Sequence, residues 1–261
     1  MPRFFLELSY KGTAYSGFQT QQNAITIQSE VEKAINTFFR NPPSPLSGEG
    51  QRVRLTGSSR TDTGVHALQN FFHFDAEGIE INSKQLYHLN SILSPDIVLK
   101  NFYKVDENAH CRFDAVARKY QYFIYQTKNP FLADRAWYYP YALDMDALNE
   151  AATVIQSYTD FTSFAKRNAQ VKTFNCSITE ATWSNNNECL IFSVKANRFL
   201  RGMVKGLVGT MLKIGRGQLT IKELNEIIEA KDCTKADFTT PAHGLFLVNV
   251  QYPYLLQPIS S

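Results

Sequence analysis

Hydrophobic and polar residues alternate in several short stretches of the chain, and a period of two predicts β-strands. The clearest example is residues 119–127, where Tyr120 and Tyr122 share one face and Phe123 and Tyr125 the other. The predicted strands cover residues 3–10, 53–55, 71–74, 97–105, 119–127, 177–184, 189–196 and 245–252.

Capping residues and a period close to 3.6 predict five helices. Thr220 and Glu223 form a capping box, which marks a helix start in the sequence. The helices are predicted to begin after Thr26, at Ser83, after Asp144, at about residue 198 and after Thr220, the last three ending near residues 156, 214 and 231. Residues 41–50 contain three prolines and two glycines, which predicts an exposed, mobile loop.

The order of these elements shows no regular alternation of strand, helix and strand. Several strands and about two helices occur in each half of the chain. This order favours an α+β fold built on antiparallel sheet, in two similar halves. We expect the halves to be residues 1–107 and residues 108–261.

The net charge of this 261-residue chain is only +3, from 27 basic and 24 acidic residues, so bulk charge does not indicate a nucleic-acid partner. The distribution of charged residues along the chain is more informative than their sum, because no acidic residue occurs between Glu188 and Glu223. Seven cations occupy the stretch: Lys195, Arg198, Arg201, Lys205, Lys213, Arg216 and Lys222. It predicts a local positive field suited to phosphates or to a catalytic anion.

The cysteines and the chain start limit the possible classes further. The four cysteines form no Cys-x-x-Cys pair, and no group of histidines and cysteines has the spacing of a zinc site. We therefore expect reduced thiols and no metal. The first residues lack a signal-peptide pattern, and no apolar run is long enough to span a bilayer. These features predict a soluble protein of the cytoplasm.

Residues 57–67 hold the most informative group of candidate catalytic side chains. Arg60 and Asp62 lie two positions apart, with hydroxyl residues around them and Gly64 to turn the backbone. Because apolar segments flank the stretch, it predicts a tight connection between strands, where folds often hold reacting groups. The alternative is an arginine–aspartate pair that only stabilises the loop.

The helix predicted at about residues 198–214 combines an apolar stripe with a basic row, and the stripe predicts a buried helix. Arg198, Arg201 and Lys205 are three and four residues apart, so on a helix they would share one face. Cations beside an apolar stripe would keep a nearby carboxylate ionised and nucleophilic. The alternative is a core helix with a solvated basic edge.

A second candidate surface interleaves cations with aromatic rings. Its members are Arg112, Phe113, Arg118, Lys119, Tyr120 and Tyr122. Tyrosines in a strand can simply pack into a core, which is the alternative. Beside guanidinium groups they also form a surface on which an unstacked base can lie, and such stacking contributes roughly 1–3 kcal/mol per base.

Taken together, these motifs resemble the bacterial tRNA pseudouridine synthase A (TruA) family. The similar segments are, in order, residues 57–67, 112–122, 160–164, 197–209 and 244–247. The resemblance extends from Leu8 to about Tyr252, nearly the whole chain. Three positions depart from the family pattern: Ser59 and Thr63, where Gly or Ala is commoner, and Lys205, where arginine is usual. Lysine keeps the charge but loses the bidentate fork.

The resemblance implies a pseudouridine synthase fold, with a cleft between two similar halves of mainly antiparallel sheet flanked by helices. It implies an isomerase that converts uridine to pseudouridine in the anticodon stem-loop of tRNA, at positions 38 to 40. No cofactor and no metal are implied. A homodimer is expected by the same resemblance.

The resemblance also implies a role for individual residues. Asp62 would be the nucleophile, and Lys205 would pair with it. Tyr120 would stack on the target base and assist removal of a proton from the ring carbon. Arg60 would hold the flipped nucleotide's place in the stem. The candidate substrate-binding residues are therefore Arg60, Tyr120, Arg198, Arg201 and Lys205.

Two other functions stay open at this point. Asp-Thr-Gly at residues 62–64 is also the signature of aspartic proteases, which need two such carboxylates sharing a proton, whereas this chain has one such tripeptide. A non-catalytic RNA-binding module also uses aromatic strands and basic residues. Such a module does not need an Arg-x-Asp turn that faces a basic helix.

Overall fold

The computed structural model describes residues 1–40, 53–76, 82–167, 171–186 and 188–259. The loop predicted at residues 41–50 lies outside the described residues. The strands are β1 Arg3–Tyr10, β2 Thr56–Gly57, β3 His66–Asp75, β4 Ile97–Val105, β5 Ala117–Tyr125, β6 Trp137–Tyr138, β7 Ile178–Asn185, β8 Leu190–Ala196 and β9 Leu245–Gln251. The helices are α1 Ile27–Arg40, α2 Ser83–Ile92, α3 Met145–Gln156, α4 Met203–Gly215 and α5 Ile221–Glu229.

The predicted α+β class is confirmed. Most strand pairs are antiparallel, including β1 with β3 and β4, and β8 with β5 and β7. The short β6 pairs with β5 in parallel. Two single turns of 3₁₀ helix, Gly12–Ala14 and Thr162–Phe164, supplement the five helices of the described ranges.

The chain forms two compact units. The first contains Met1–Val116 and Leu247–Ser261, and the second contains Ala117–Phe246. The sequence-based division at residue 107 differs from this one in position and in assigning the last segment to the second half. That division stays a prediction about domains, and the two units are described separately below.

In the first unit, β1 lies between β4 and β3, and β2 pairs with β3. β1 is buried along most of its length, so residues on both of its faces are covered. Its Glu7 is also buried, and it accepts hydrogen bonds from Tyr103, Gln69 and Asn101. Burial raises the pKa of Glu7, but these hydrogen bonds outweigh burial and hold it below its usual range.

In the second unit, β8 lies between β5 and β7. Helix α3 packs on β7 and on α4, and α5 packs on α3. The core between sheet and helices includes fully buried side chains from three elements: Tyr122, Phe192, Met203, Leu207 and Met211. Helix α4 is therefore the buried helix that its apolar stripe predicted.

Several predicted helix starts are confirmed by their caps. The Asp144 carboxylate accepts the backbone N–H groups of Asp146 and Ala147 at 2.9 and 3.0 Å. Thr220 and Glu223 make both hydrogen bonds of a capping box. Each cap satisfies backbone donors that a helix start would otherwise leave without partners.

The predicted start of α4 at about residue 198 is wrong. The helix begins at Met203, because Gly202 has φ of +78° and interrupts the helical backbone. Arg198, Arg201 and Phe199 therefore lie on an irregular segment before the helix, and Lys205 alone of the predicted basic row lies on α4. The expectation that Arg198, Arg201 and Lys205 share one helical face is overturned.

Within the described part of the chain, no helix combines the length and the apolar character that crossing a membrane requires. All four cysteines, which belong to that part, have free thiols.

Candidate active site

Asp62 lies on the connection between β2 and β3, in the first unit. Its backbone carbonyl accepts the N–H of Val65 at 3.2 Å, which closes a tight turn over residues 62–65. Gly64, the third residue of the turn, has φ of +78°, a conformation that favours glycine at this position. The glycine noted in the sequence thus turns the chain two residues after the carboxylate.

Buried hydrogen bonds fix the backbone on the N-terminal side of Asp62. The Thr61 carbonyl accepts the N–H of Phe18 at 3.0 Å, and the Thr61 hydroxyl lies 2.8 Å from the hydroxyl of Tyr10. The Asn70 amide donates to the Ser59 carbonyl at 3.0 Å and to the Tyr10 hydroxyl at 3.1 Å. These contacts join the loop to β1 and β3 within one buried polar network.

The side chains of the loop alternate between the network and the surface. Ser59 and Thr61 are buried, whereas Arg60 is exposed and Asp62 is half-buried. A carboxylate on a fixed backbone that is still partly accessible can meet a substrate with little reorganisation.

Tyr120 lies on β5 in the second unit, opposite Val194 of β8. Its ring is half-buried and meets the ring of Phe199 edge to face, with centroids 5.0 Å apart. Tyr122, on the same face of β5, is fully buried, and its hydroxyl donates to the carbonyl of Pro241. Tyr120 is thus the more accessible ring of the two on this face.

The irregular segment 197–202 lies beside Tyr120 and is held at both ends. The Asn197 side-chain oxygen accepts the N–H groups of Ser177 and Arg198, each at 2.8 Å. Arg118 donates to the Asn197 carbonyl at 3.2 Å. At the other end, the N–H of Lys166 donates to the Arg201 carbonyl at 2.8 Å. Arg201 is exposed and Arg198 half-buried on this anchored segment.

Acidic residues outside residues 189–222 neutralise some of the positive charges in that acid-free stretch. Lys195 pairs with Glu180 at 3.3 Å, and Lys213 pairs with Asp237 at 3.0 Å. Lys222 lies 3.9 Å from Glu226. Fewer groups therefore contribute to the positive field than the sequence suggests. Lys205 lies half-buried in the first turn of α4.

The structure thus distributes the predicted site residues over both units. Asp62 and Arg60 belong to the first, and the second brings Tyr120 close to the segment that carries Arg198 and Arg201. Sequence reasoning missed Phe199 as the neighbour of Tyr120, because it placed Phe199 in a helical stripe. It also missed Asn70, since a single asparagine in a predicted strand gives no local signal.

Three potential metal donors, His73, His110 and Cys111, come within 4.8 Å of one another in the first unit. No spacing rule could have found them, because His73 lies on β3 whereas His110 and Cys111 are adjacent residues after β4, and only the fold brings the three together. Their atoms are used within the protein: both Nδ1 atoms accept backbone N–H groups, and the Cys111 thiol contacts the Thr56 carbonyl. These contacts fit a hydrogen-bonded core network better than a metal centre.

Comparison of the sequence with known proteins shows the family of this chain. Residues 158–253 match a family model described as tRNA pseudouridine synthase. A tRNA pseudouridine synthase A of Parabacteroides distasonis is 41% identical over 99% of both chains. The Porphyromonas gingivalis protein of that name is 41% identical over 97% of this chain and 98% of the relative. The chain belongs to the tRNA pseudouridine synthase A family.

More distant members agree with this assignment. A tRNA pseudouridine synthase A of Staphylococcus aureus (strain JH1) is 33% identical over 95% of this chain and 90% of the relative. The predicted family resemblance is confirmed, and with it the prediction of an enzyme, since the family consists of isomerases that convert uridine to pseudouridine. As a member of the tRNA pseudouridine synthase A family, the chain is neither an aspartic protease nor a non-catalytic RNA-binding module.

Proposed function

We propose that this family member isomerises uridines in the anticodon stem-loop of tRNA, at the expected positions 38 to 40, with Asp62 as the nucleophile. One observation carries the proposal: Asp62 lies half-buried on a loop whose neighbouring residues are fixed by buried hydrogen bonds. The names of the relatives support a tRNA substrate. The positions in the anticodon arm follow from the family resemblance.

The chemistry explains why one carboxylate suffices. The bond between N1 of uracil and C1′ of ribose breaks, the base turns, and a bond forms between C5 and C1′. The proton on C5 is lost and N1 gains one, so no atom, electron or group is exchanged with a cofactor. A carboxylate at the ribose serves this reaction whether it attacks C1′ directly or acts first on the base.

The other site residues act on the nucleotide. Tyr120 offers an accessible ring for stacking on the base and a hydroxyl to assist removal of the C5 proton. Arg60, exposed beside Asp62, takes the place of the flipped nucleotide in the stem, and stacking offsets the few kcal/mol that flipping costs. Lys205 pairs with the Asp62 carboxylate, while Arg198 and Arg201 bind tRNA phosphates.

Two further properties belong to the same proposal. We expect the enzyme to act as a homodimer, which light scattering on the purified protein tests. We also expect it to work in the cytoplasm, which fractionation of cells that express the full chain tests.

The Asp62→Asn variant tests the central claim. Removing a nucleophile typically lowers turnover by about 10⁴-fold or more, whereas tRNA binding should stay close to wild type because the charge patterns elsewhere are unchanged. Turnover is measured as tritium released from tRNA carrying [5-³H]uridine, and binding by filter retention. The control is Asp106→Asn, an exposed carboxylate of the same unit, which should retain full turnover.

A second arm tests the substrate positions. A tRNA transcript with cytidine at positions 38 to 40 should release no tritium, while a transcript with uridine only at those positions should react. Near wild-type turnover of Asp62→Asn would remove Asp62 as the nucleophile. Equal release from both transcripts would remove the anticodon arm as the target.

A further inference from the structure

Residues 237–244, here called the 237–244 segment, lie between α5 and β9 in the chain and contact both α4 and β5 in the second unit. The Thr240 hydroxyl donates to the backbone carbonyl of Lys205 at 2.6 Å. Thr240 is 1% exposed, and this hydrogen bond is partly buried. Lys205 lies in the first turn of α4, and its carbonyl is thus tied from outside the helix.

The segment follows one face of α4 over about two turns. The Phe238 ring lies against Gly206, where an added Cβ would come within 2.9 Å of it. The N–H of Asp237 donates to the Thr210 hydroxyl at 3.1 Å, and the Asp237 carboxylate pairs with Lys213. Positions 205, 206, 209, 210 and 213 recur at helical spacing, so they form one stripe.

Gly209 allows the 237–244 segment to approach α4 closely along this stripe. A Cβ at this position would overlap the carbonyl oxygen of Asp237 and come within 3.1 Å of the Thr240 hydroxyl. The backbone of the segment therefore lies directly on the helix, with no side chain between them.

The other end of the segment is fixed to β5. The Pro241 carbonyl accepts the hydroxyl of Tyr122 at 2.8 Å, and the Gly244 carbonyl accepts the N–H of Phe123 at 2.9 Å. Tyr122 and Phe123 directly follow the Tyr120 region on the same strand. A few consecutive residues thus contact both the helix that carries Lys205 and the strand that carries Tyr120.

We propose that Thr240 is a positioning residue, whose hydroxyl holds the backbone of Lys205 in a fixed place relative to the Tyr120 strand. This inference rests on the proposed function, in which Lys205 pairs with Asp62 and Tyr120 stacks on the base. Thr240 itself touches no reacting atom. It acts through Lys205, since the Lys205 carbonyl is its hydrogen-bond acceptor.

The test is a double-mutant cycle on turnover in the full chain. Thr240→Val keeps the side-chain shape but removes the hydroxyl, and we expect kcat to fall about tenfold, or about 1.4 kcal/mol of barrier, with KM for tRNA nearly unchanged. Thr240→Ser keeps the hydroxyl and should restore most of kcat. In a Lys205→Ala background, Thr240→Val should cause no further loss, because the group it positions is gone.

Thr210→Val is the matched control. Thr210 is as buried as Thr240 and also bonds to the 237–244 segment, but its partner is Asp237 rather than Lys205. We expect Thr210→Val to lower the melting temperature to a similar extent while changing kcat much less. Assays are run well below the melting temperatures of all variants, so that partial unfolding does not enter kcat.

The outcomes separate the two claims. Equal kcat losses in Thr240→Val and Thr210→Val, or full additivity with Lys205→Ala, would overturn the positioning role and leave only a structural one. Unchanged kcat in Thr240→Val would overturn it as well. Asp62→Asn is assayed alongside: if it stays active, the proposed function fails, whatever Thr240 does.

Discussion

At the scale of single residues, Asn70 is the centre of the polar network that holds the Asp62 loop. Its side-chain oxygen accepts from the Ser58 hydroxyl and the Phe71 N–H, and its amide donates to the Ser59 carbonyl and the Tyr10 hydroxyl. These four hydrogen bonds use the full capacity of an amide side chain. Because Asn70 is completely buried, water cannot replace any of them.

Asn70→Ala should therefore lower both stability and turnover. Buried partners left without hydrogen bonds cost about 1–3 kcal/mol each. The Ser58 and Tyr10 hydroxyls keep contacts with Ser59 and Thr61. The loss of the other two hydrogen bonds should therefore lower the free energy of unfolding by about 2–6 kcal/mol. Turnover should fall about tenfold or more, since the loop backbone loses an anchor. Urea unfolding and tritium release measure the two effects.

Asn249→Ala is the control for Asn70→Ala. Asn249 is exposed and donates a single hydrogen bond to Gln69, so we expect a stability change of about 0.5 kcal/mol or less and normal turnover. Equal effects of the two substitutions would contradict the importance of burial at Asn70.

At the scale of elements, the segment before α4 shows where sequence periodicity misleads. Arg198, Arg201 and Lys205 have helical spacing, yet Gly202 in a left-handed conformation separates the first two from the helix. Other glycines, such as Gly206 and Gly209, lie inside α4. The sequence thus does not distinguish a glycine that ends a helix from one that admits a close neighbour, because tertiary contacts decide between them.

The positive charges on the segment 197–202 should still contribute to RNA binding. Replacing both Arg198 and Arg201 by alanine should reduce the slope of log affinity against log salt concentration by roughly 1 to 2, since each lost phosphate contact removes just under one counterion. The measurement is filter binding of tRNA from low to moderate salt.

A charge-matched control separates the effect of these two arginines from the effect of net charge. Arg135→Ala combined with Lys222→Ala removes the same net charge from two exposed side chains that already have acidic neighbours, Asp134 and Glu226. The control should leave the salt slope close to wild type. If both pairs of substitutions lower the slope equally, net charge rather than the segment at 198–201 determines binding.

At the scale of the whole molecule, local patterns predicted the α+β class and most elements. The alternation in β4 and the caps of α3 and α5 are encoded within a few residues, so they were predictable. The return of Leu247–Ser261 to the first unit is not encoded locally, because it depends on which strand β9 joins. The cluster of His73, His110 and Cys111 was unpredictable for the same reason.

That cluster gives the fold a specific acid sensitivity. Burial lowers the pKa of His73 to about 4, assisted by the nearby His110 and Arg3, whereas an unfolded histidine has a pKa of about 6.5. Between these values the unfolded chain binds a proton that the native His73 does not. The free energy of unfolding therefore falls as pH decreases from about 6.5 to about 4, by at most about 1.4 kcal/mol per pH unit for this group.

His73→Asn should flatten that dependence, because asparagine does not titrate and its side-chain oxygen can still accept the Cys111 N–H. Urea unfolding at several pH values between 6.5 and 4.5 measures the slope, and His88→Asn, at an exposed histidine, should keep the wild-type slope. Glu7 does not obscure the result: its pKa is lowered, so its contribution is present above its unfolded pKa of about 4.3 and is lost only as pH falls further. An unchanged slope in His73→Asn would show that His73 is not held neutral by the fold.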